Sequence, residues 1–462
     1  MDEHPMSQGA AAGKAARAAV PLATHADLHL RPDRDPIGLL ASQAQSRVAD
    51  LIPIRYGRML ASPFAFFRGA ALPMAADLAA TPTSGLRVQM CGDAHVANFG
   101  AFASPERRLV FDLNDFDESL PGPFEWDVKR LAASLVVAGR ANGFSRKESN
   151  RIVLAAVRRY RKAMREFAKL PTMAVWYAGL DVQQAIKDYR NQLPADRYQA
   201  TEALVAKART RDSAQALRKL TTVVDGHRRI VSDPPLVVPI EELFTAREAD
   251  ALYAEVRSLI SRYSRSLAAN RRHLLSQFQV VQMARKVVGV GSVGTRAWIV
   301  LMESLDGSDS LFLQAKEAQP SVFAEYAGRS RHANQGQRVV VGQQLMQAVS
   351  DIFLGWQTTT GVDGVDRDYY VRQLRDWKFS PPIPQMIPPG MEIYASLCAW
   401  TLARAHARTG DRIAIAAYLG KSPDFEHAVA EFAGAYADLN ESDHAALQRT
   451  VNQGRLEARL GI

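Results

Sequence analysis

The sequence has little cysteine and no long apolar run. Its 462 residues include two cysteines, Cys91 and Cys398, and no CxxC pair, which excludes a disulfide framework and a cysteine-based metal site and fits a reducing compartment. No run of about 18 apolar residues is present, so a membrane-spanning helix is not expected. The alanine-rich start is interrupted by Lys14 and Arg17 after an acidic opening, a pattern unlike a signal peptide. The sequence therefore predicts a cytoplasmic protein that makes no contact with a membrane.

The charge balance is basic, with a net charge of +9 and a pI near 9.5. This excess favours anionic ligands such as nucleotides, nucleic acid or acidic lipid without selecting among them. Apolar residues make up 47% and charged residues 23% of the chain, which is typical of a globular protein with a buried core. Basic residues between 146 and 169 are interleaved with apolar ones, and a solvated helix face is favoured there over a nucleic-acid surface.

The hydrophobic patterns along the chain predict two lobes. Residues 1–30 lack periodicity and are interpreted as a mobile N-terminal arm. Residues 31–245 predict the first part of a large lobe, and residues 246–280 predict a helical connector. Residues 281–380 alternate with a period of two, which predicts a small antiparallel sheet, and helical spacing over residues 381–462 completes the large lobe. We therefore expect an α+β fold with a small β lobe and a larger, mainly helical lobe.

The segment CGDAHVANFG, from Cys91 to Gly100, brings an Asp, a His and an Asn into one loop after an apolar strand. Phosphoryl transfer needs a carboxylate to orient or deprotonate the attacking hydroxyl and an amide oxygen to bind magnesium. Asp93 and Asn98 have the spacing to supply both groups. The alternative, in which these side chains only stabilise turns, stays open for this segment alone.

A second acidic segment, FDLNDFDES, follows shortly afterwards. Asp112, Asp115, Asp117 and Glu118 crowd together at the end of a predicted strand. Carboxylates at such close spacing repel one another unless a cation lies among them. This crowding favours a cation site near the two acidic segments over a purely structural turn.

The first of these segments resembles a known catalytic loop. Gly92-Asp93-x-His95-x-x-Asn98 is similar to the HGDxHxxN loop of the aminoglycoside and choline phosphotransferases, with Cys91 in place of the first His. The resemblance implies that Asp93 is the catalytic base, that His95 belongs to the same catalytic motif, and that Asn98 is a magnesium ligand.

The resemblance extends to the second acidic segment. Asp115, which opens Asp-Phe-Asp, is implied to be the counterpart of the metal-binding DFG aspartate of kinases, with Asp112 as the rival for that role. The following segment GPFEWDVKRLA is similar to the helix that carries a buried aspartate in these phosphotransferases. Asp127 is implied to be that aspartate and to brace the loop.

Glycines form a second motif much later in the chain. Gly289, Gly291, Ser292 and Gly294 belong to a GxGxxG segment. In a dinucleotide-binding unit this motif must open a helix, but strand formers follow it here, as in the hairpin that covers the phosphates in a kinase. These residues are therefore predicted to bind nucleotide phosphates.

Lys316, in LFLQAKEA, lies where the third-strand lysine of a kinase binds the α and β phosphates. A solvated strand lysine is the alternative. The kinase lysine normally pairs with a helix Glu, and Glu325 is the nearest candidate. Gln343 and Gln344, in a more regular helix, are alternatives that would weaken the ion pair.

Three arginines have two possible roles. Arg68, Arg372 and Arg375 carry guanidinium groups whose geometry matches phosphate oxygens. They fit equally well as partners in structural ion pairs. The sequence leaves both roles open.

The acidic loop precedes the glycine motif, which is the reverse of their order in an ordinary kinase. A circular permutation accounts for this order, since such cuts are tolerated where the old termini lie close together at the surface. From about residue 45 onward, the chain also resembles the uncharacterised bacterial proteins grouped as domain of unknown function family 2252. The segments that carry this resemblance include SPFAFFRGAA, LNDFDESLPGPFEWD and LARAHARTGD.

Together the resemblances imply a circularly permuted, two-lobed, protein-kinase-like fold that binds ATP and Mg²⁺. The implied activity is phosphate transfer to a hydroxyl of an unidentified small molecule or protein. A nucleotide-binding sensor without turnover and an enzyme that transfers AMP are the alternatives. The sequence identifies neither the acceptor nor the oligomeric state.

Overall fold

Helices form most of the chain and short antiparallel sheets form much of the rest. The computed structural model describes residues 5–188, 190, 195–209, 213–287, 289–361, 363–374, 377 and 379–462. Arg375, one of the three arginines with two possible roles, lies outside these residues. The observed class is α+β, as the sequence predicts. Within the described residues, no helix combines the length and apolar character needed to cross a membrane.

The helices and strands are numbered along the chain. The α-helices are α1 Pro5–Ala19, α2 Pro36–Ala44, α3 Ile52–Leu60, α4 Pro63–Gly69, α5 Ala71–Ala79, α6 Phe124–Ala141, α7 Arg146–Phe167, α8 Thr172–Tyr177, α9 Val182–Asp188, α10 Ala195–Arg209, α11 Ser213–Leu220, α12 Ile240–Leu243, α13 Ala246–Ser264, α14 Ala269–Leu275, α15 Ala324–Ala327, α16 Gln335–Met346, α17 Pro388–Thr409, α18 Arg412–Leu419 and α19 Asp424–Asn452. The strands are β1 Arg87–Met90, β2 Phe99–Ala103, β3 Leu109–Leu113, β4 Leu120–Pro123, β5 Leu180–Asp181, β6 Thr221–Val224, β7 His227–Ile230, β8 Val237–Pro239, β9 Phe278–Lys286, β10 Ala297–Ser304, β11 Ser310–Ala318, β12 Gly355–Thr360 and β13 Asp366–Gln373.

The large lobe is built around α6, α7, α17 and α19, which pack against one another over the largest apolar cluster. Nearly every residue of α6 is buried, as expected for a helix surrounded by other elements on all sides. α7 begins with a capping box, in which Ser145 and Glu148 each accept a hydrogen bond from the backbone of the other. These helices form the platform from which the loops after β1 and β3 project.

Two short strands bring the acidic segments together. β2 pairs antiparallel with β3, and Phe99 lies opposite Leu113. Because Asn98 precedes the first strand and Asn114 follows the second, the two segments meet at the same end of the hairpin. The Asn114 backbone N–H donates to the Asn98 carbonyl oxygen at 2.9 Å.

The β lobe contains a six-stranded antiparallel sheet in the order β12-β13-β11-β10-β9-β8. Side chains alternate between its two faces. Leu313 on the outer face belongs to the apolar cluster that includes Tyr263 of α13. Phe312 on the inner face packs with Leu217 of α11. Lys316 shares the inner face with Phe312, so this lysine faces the large lobe.

Residues 5–30 differ from the predicted mobile arm. α1 packs against α18, and the short 3-10 helix that follows it packs against α19. Leu22 and His25 in that 3-10 helix are buried. Small residues explain the difference, because a Cβ at Gly13 would lie 2.1 Å from the carbonyl oxygen of Ala414. An alanine- and glycine-rich segment without apolar periodicity can therefore still pack closely.

The boundary of the β lobe also differs from the prediction. β8 pairs with β9 at the edge of the six-stranded sheet, although it precedes residue 246. The predicted connector, residues 246–280, contains α13 and α14, whose Tyr263 and Leu275 share an apolar cluster with Val300 of the sheet. These helices are therefore part of the β lobe.

Candidate active site

The aspartate loop, residues 91–98, is fixed by the buried carboxylate of Asp127. That carboxylate accepts hydrogen bonds from the backbone N–H groups of Cys91 at 2.7 Å and Gly92 at 2.9 Å, and His406 Nε2 lies 3.1 Å from it. Gly92 has a φ of 82°, and a Cβ there would lie 2.5 Å from the Glu118 carbonyl oxygen. The loop therefore requires glycine at this position and is held by groups of its own lobe.

Asp93 presents its carboxylate to a cavity between the lobes. Arg130 Nη2 lies 2.7 Å from Asp93 Oδ1, and the same guanidinium donates to the Phe67 carbonyl oxygen at 2.9 Å. Burial by itself raises the pKa of Asp93, but the charge and hydrogen bond of Arg130, together with other nearby groups, outweigh burial and hold this pKa below its ordinary value. Asp93 is therefore ionised at neutral pH and able to accept a hydrogen bond from a substrate hydroxyl.

His95 lies beside Asp93, with its Nε2 3.7 Å from Asp93 Oδ2. Burial lowers the pKa of His95 to about 3, so the imidazole is neutral near pH 7. Its Nδ1 is buried and has no hydrogen-bond partner within the described part of the chain. The ring therefore adds a polar neighbour to Asp93 without adding positive charge.

Asn98 closes the aspartate loop. Its side-chain Nδ2 donates to the backbone carbonyl oxygen of Asp93 at 2.7 Å. This bond uses the amide nitrogen and leaves the amide oxygen as the atom that can bind a cation. The spacing of Asp93 and Asn98 thus produces one closed turn whose two side chains line the same cavity.

The acidic turn, residues 114–118, supplies two further carboxylates. The Asp117 backbone N–H donates to Asp115 Oδ1 at 3.3 Å. Burial and then the charge of Asp117 raise the pKa of Asp115. A carboxyl group whose negative charge is disfavoured in this way gains most from a bound cation.

Asp117 joins the acidic turn to the β lobe. Lys316 Nζ lies 2.6 Å from Asp117 Oδ2, and the Tyr370 hydroxyl donates to Asp117 Oδ1 at 2.6 Å. Burial alone lowers the pKa of Lys316, but the charge of Asp117, together with Tyr370 and Asp115, outweighs burial and holds the pKa of this lysine above its ordinary value. The lysine is therefore a paired, inner-face cation rather than a solvated strand lysine.

The helix partners considered for Lys316 lie elsewhere. Glu325 is on the short helix α15 and does not line the cavity. Gln343 of α16 donates instead to Gln347 at 2.9 Å. The carboxylate beside Lys316 comes from Asp117, in the acidic turn, because that turn reaches the inner face of β11.

Asp112 and Asp115 face different environments although they are three residues apart. Asp112 is buried within the large lobe, where Arg404 Nη2 lies 2.6 Å from its Oδ1 and the Ala348 backbone N–H donates to its Oδ2 at 2.9 Å. Burial raises the pKa of Asp112 despite the charge of Arg404. Asp115 lines the cavity, whereas Asp112 does not. Because side chains alternate in direction along a strand, two residues an odd number of positions apart point to opposite sides.

The glycine loop, residues 289–296, is held by arginines from the N-terminal part of the large lobe. Arg47 Nη1 donates to the Gly291 carbonyl oxygen at 2.8 Å and also contacts the Val293 carbonyl oxygen. Arg58 contacts the Gly289 carbonyl oxygen. Gly294 has a φ of 89°, which favours glycine. Since these carbonyl groups point towards arginines, the loop is positioned across the lobe boundary.

The cavity of about 140 Å³ lies where the aspartate loop, the acidic turn and the glycine loop meet. The sequence-predicted residues that line it are Asp93, His95, Asn98, Asp115, Gly289, Gly291 and Ser292. Gly294, like Asp112 and Glu325, is not among the lining residues. Lys316 reaches the cavity edge through Asp117, whose Oδ2 also accepts a hydrogen bond from the Ser292 hydroxyl at 3.3 Å.

Sequence reasoning assigned no site role to several other lining residues. Glu118 receives a hydrogen bond from the Val322 backbone N–H at 2.7 Å, and burial raises its pKa to about 7. Arg47 and Gln43 come from the region around the end of α2. Glu118 belongs to the acidic crowd in the sequence, so a signal existed for it. Arg47 and Gln43 lie in no motif, and only the tertiary fold brings them to the glycine loop.

The donor set at this cavity fits magnesium better than a transition metal, because Asn98, Asp115 and Asp117 offer oxygen atoms. In the described part of the chain, no three or more His, Cys, Asp or Glu side chains form a group placed to hold a metal ion. Magnesium commonly binds through one or two carboxylates together with substrate phosphates and water. The residues present therefore suit a cation that arrives with a phosphate ligand.

Comparison with protein families identifies one that covers most of the chain. A family model described as an uncharacterised protein conserved in bacteria, DUF2252, matches residues 47–450. The matched region contains the aspartate loop, the acidic turn, the glycine loop and Lys316. No curated protein and no solved structure matches the chain.

Proposed function

This chain belongs to the DUF2252 family of uncharacterised bacterial proteins, and we propose that its cleft is the active site of an ATP- and magnesium-dependent phosphotransferase. The acceptor is a hydroxyl group of a small molecule or protein. The proposed fold is that of a circularly permuted kinase, in which the β lobe covers the phosphates of ATP.

One contact carries this proposal. Lys316 and Asp117 are 199 residues apart in the chain, and their side chains meet at 2.6 Å. This contact joins the strand lysine to the acidic turn at the edge of the cavity lined by Asp93 and Asn98. A lysine for phosphates, oxygen ligands for magnesium and a carboxylate for the acceptor are the parts that phosphoryl transfer requires.

The end of α17 supports the permuted order. The Gln89 backbone N–H donates to the Thr409 hydroxyl at 3.2 Å, and a Cβ at Gly410 would lie 2.8 Å from the Arg87 carbonyl oxygen. The helix that would precede the catalytic loop in an ordinary kinase therefore ends beside β1, although it follows β1 by more than half of the chain. A cut between these neighbouring points accounts for the sequence order.

The chain's own residues would act by position and charge. Asp93, kept ionised by Arg130, accepts the hydrogen bond of the acceptor hydroxyl and aims its oxygen at the terminal phosphorus. That oxygen bonds to phosphorus, the bond to the bridging oxygen breaks to release ADP, and the hydroxyl proton passes to Asp93 or to water. Magnesium, held by Asn98 and Asp115, would neutralise phosphate charge, and most of the acceleration comes from such positioning and neutralisation.

The size of the cavity restricts which part of ATP it accepts. Its volume of about 140 Å³ is smaller than the roughly 300–1,000 Å³ of pockets that enclose whole drug-sized ligands. Phosphate groups and a cation match this volume. The base would lie beyond the cavity, where α11 covers part of the inner face of the sheet through Leu217 and Leu220.

The test is phosphate transfer from γ-labelled ATP to a fractionated metabolite extract, with Asp93→Asn as the variant. We expect wild-type protein to label an acceptor and Asp93→Asn to label it roughly 10²- to 10⁴-fold more slowly, with nucleotide binding nearly unchanged. Asp438→Asn, which alters an exposed carboxylate beside Arg140, is the matched control.

Three results would contradict the proposal. Equal turnover by Asp93→Asn removes the role given to that carboxylate. Nucleotide binding with no turnover on any fraction favours the sensor. A mass increase equal to AMP on the acceptor, measured by intact-mass analysis, favours adenylyl transfer.

A further inference from the structure

Arg68 stands on α4, a short helix whose position is tied to the aspartate loop. Ser62 caps the helix by accepting a hydrogen bond from the Ala65 backbone N–H at 3.0 Å. Arg130, which binds the Asp93 carboxylate, also donates to the carbonyl oxygen of Phe67. The peptide group directly before Arg68 therefore shares a buried anchor with Asp93.

Arg68 lines the cavity, and its guanidinium has no hydrogen-bond or ion-pair partner within the described residues. Its Nε is buried and has no hydrogen-bond partner among the described residues, and no described carboxylate forms an ion pair with it. Burial lowers the pKa of Arg68, and the charges of Asp93 and Asp115 act against burial. An arginine remains protonated under these conditions, so the cavity holds a charged fork of N–H donors that no described group accepts from.

The other described cationic side chains in or beside the cavity each have at least one partner within the protein. Arg130 pairs with Asp93, Lys316 pairs with Asp117, and Arg47 donates to carbonyl groups of the glycine loop. A buried donor without a partner costs free energy that a ligand can recover. Among the described cations that line the cavity, Arg68 is therefore the one available to an incoming anion.

We infer that Arg68 is the ligand of the phosphoryl group during its transfer. This inference rests on the proposed function and adds a group from α4, outside the aspartate loop, the acidic turn and the glycine loop. Asp93 would hold the acceptor and Asp115 the metal, so the transferred group passes between the two carboxylates whose charges act on Arg68. A guanidinium there offsets their repulsion of the phosphoryl oxygens and matches these oxygens with paired N–H groups. Such an arginine acts most strongly when charge spreads over the equatorial oxygens.

The test compares binding of MgADP alone with binding of MgADP plus aluminium fluoride, which mimics the transferred phosphoryl group. Wild-type protein and the variants Arg68→Ala and Arg68→Lys are titrated by calorimetry. We expect Arg68→Ala to bind MgADP within about threefold of wild type and to lose roughly tenfold or more of the additional affinity that the fluoride provides. Arg68→Lys keeps the charge but not the fork, so it should recover only part of that affinity.

A matched control and separate outcomes keep the two proposals apart. Arg108→Ala removes an exposed arginine that pairs with Asp181 outside the cleft and should leave both affinities unchanged. If Arg68→Ala retains the full fluoride enhancement, or loses MgADP affinity equally with and without fluoride, the inference fails while nucleotide binding stands. If the wild-type protein binds neither probe, the proposed function fails and the inference with it. Circular dichroism melting of Arg68→Ala checks folding, and Arg68→Lys decides the result if the alanine variant is unfolded.

Discussion

The aspartate loop and the glycine loop line one cavity but are held in opposite ways. The aspartate loop is fixed inside the large lobe, where Asp127 accepts from its backbone and Ser134 accepts from the Val96 backbone N–H at 2.9 Å. The glycine loop belongs to the β lobe, and its carbonyl groups contact Arg47 and Arg58 of the other lobe. The first loop inherits the rigidity of a buried core, whereas the second depends on the lobes staying together.

This difference separates two kinds of contribution to the site. Buried acceptors such as Asp127 contribute to folding as well as to the geometry of the candidate site, because their loss leaves backbone donors without partners. Arginines at the lobe boundary contribute chiefly to how well the glycine loop is ordered before a ligand binds. Variants of the two groups should therefore separate stability from ligand affinity.

The largest effect is expected for Asp127→Ala, which tests the buried side of the comparison. The change leaves the N–H groups of Cys91 and Gly92 and the ring of His406 without their acceptor. We expect the free energy of unfolding to fall by about 3–5 kcal/mol, measured by urea denaturation. Asp438→Ala, at an exposed ion pair, should change it by less than about 0.5 kcal/mol. A loss at Asp127 as small as at Asp438 would mean that the aspartate loop holds itself.

A smaller effect is expected for Lys316→Met, at the contact between the lobes. The change removes the proposed phosphate ligand and leaves Asp117 without its closest cation. We expect MgADP affinity to fall roughly 10- to 100-fold, measured by calorimetry. Lys162→Met, at an exposed position of α7, is the control. Unchanged affinity for the Lys316 variant would remove this residue from the nucleotide site.

Arg47→Met tests the other side of the comparison. The variant removes the donor to the Gly291 and Val293 carbonyl groups, so the glycine loop must be ordered when the nucleotide binds. We expect about 5- to 10-fold weaker MgADP binding with little change in the urea midpoint. Arg31→Met, at an exposed pair with Asp33, should change neither quantity. If Arg47→Met lowers stability and spares affinity, the two loops are held in the same way.

The smallest effect concerns Glu118, which lies between the two loops. Burial raises the pKa of Glu118 from 4.5 to about 7, so the folded state keeps a proton that the unfolded chain releases between these pH values. The free energy of unfolding contributed by this group therefore falls as pH rises through that window. Glu118→Gln should reduce this pH-dependent fall in the free energy of unfolding by about 1 kcal/mol, a value that allows for the partial exposure of the group.

Urea denaturation at pH 5 and pH 7 measures the Glu118 effect as the difference between variant and wild type. Glu166→Gln, at an exposed position, controls for general loss of negative charge. An identical pH dependence for wild type and Glu118→Gln would show that Glu118 is ionised throughout.

Local spacing predicted the parts of this site that are close in sequence. Asp93 and Asn98 belong to one turn, and the β2–β3 hairpin brings Asp115 beside them. The choice between Asp112 and Asp115 needed the fold, because Arg404, which buries Asp112, lies 292 residues away. The partner of Lys316 could not be identified from the sequence for the same reason. Glu325 lies on α15, away from the lysine, and the acidic turn supplies Asp117 instead.

The prediction of the α+β class is confirmed. It was possible from the sequence because the helical and strand periods are strong over long segments. Residues 5–30, predicted as a mobile arm, instead include the buried side chains of Leu22 and His25, and no apolar repeat in the sequence indicates this packing. The aspects of the fold that sequence reasoning missed involve small residues and buried polar groups. Their favourable contacts come from distant segments, so local pattern does not reveal them.

The sulfur of Cys91 packs against the backbone of the acidic turn. Its Sγ lies 3.2 Å from the Asp115 carbonyl oxygen, it is fully buried, and burial raises the pKa of this thiol well above its ordinary value. Thiol-specific reagents therefore meet it only when the aspartate loop and the acidic turn separate. The rate at which such a reagent labels Cys91 would therefore report how often the cleft opens, and no engineered cysteine would be needed.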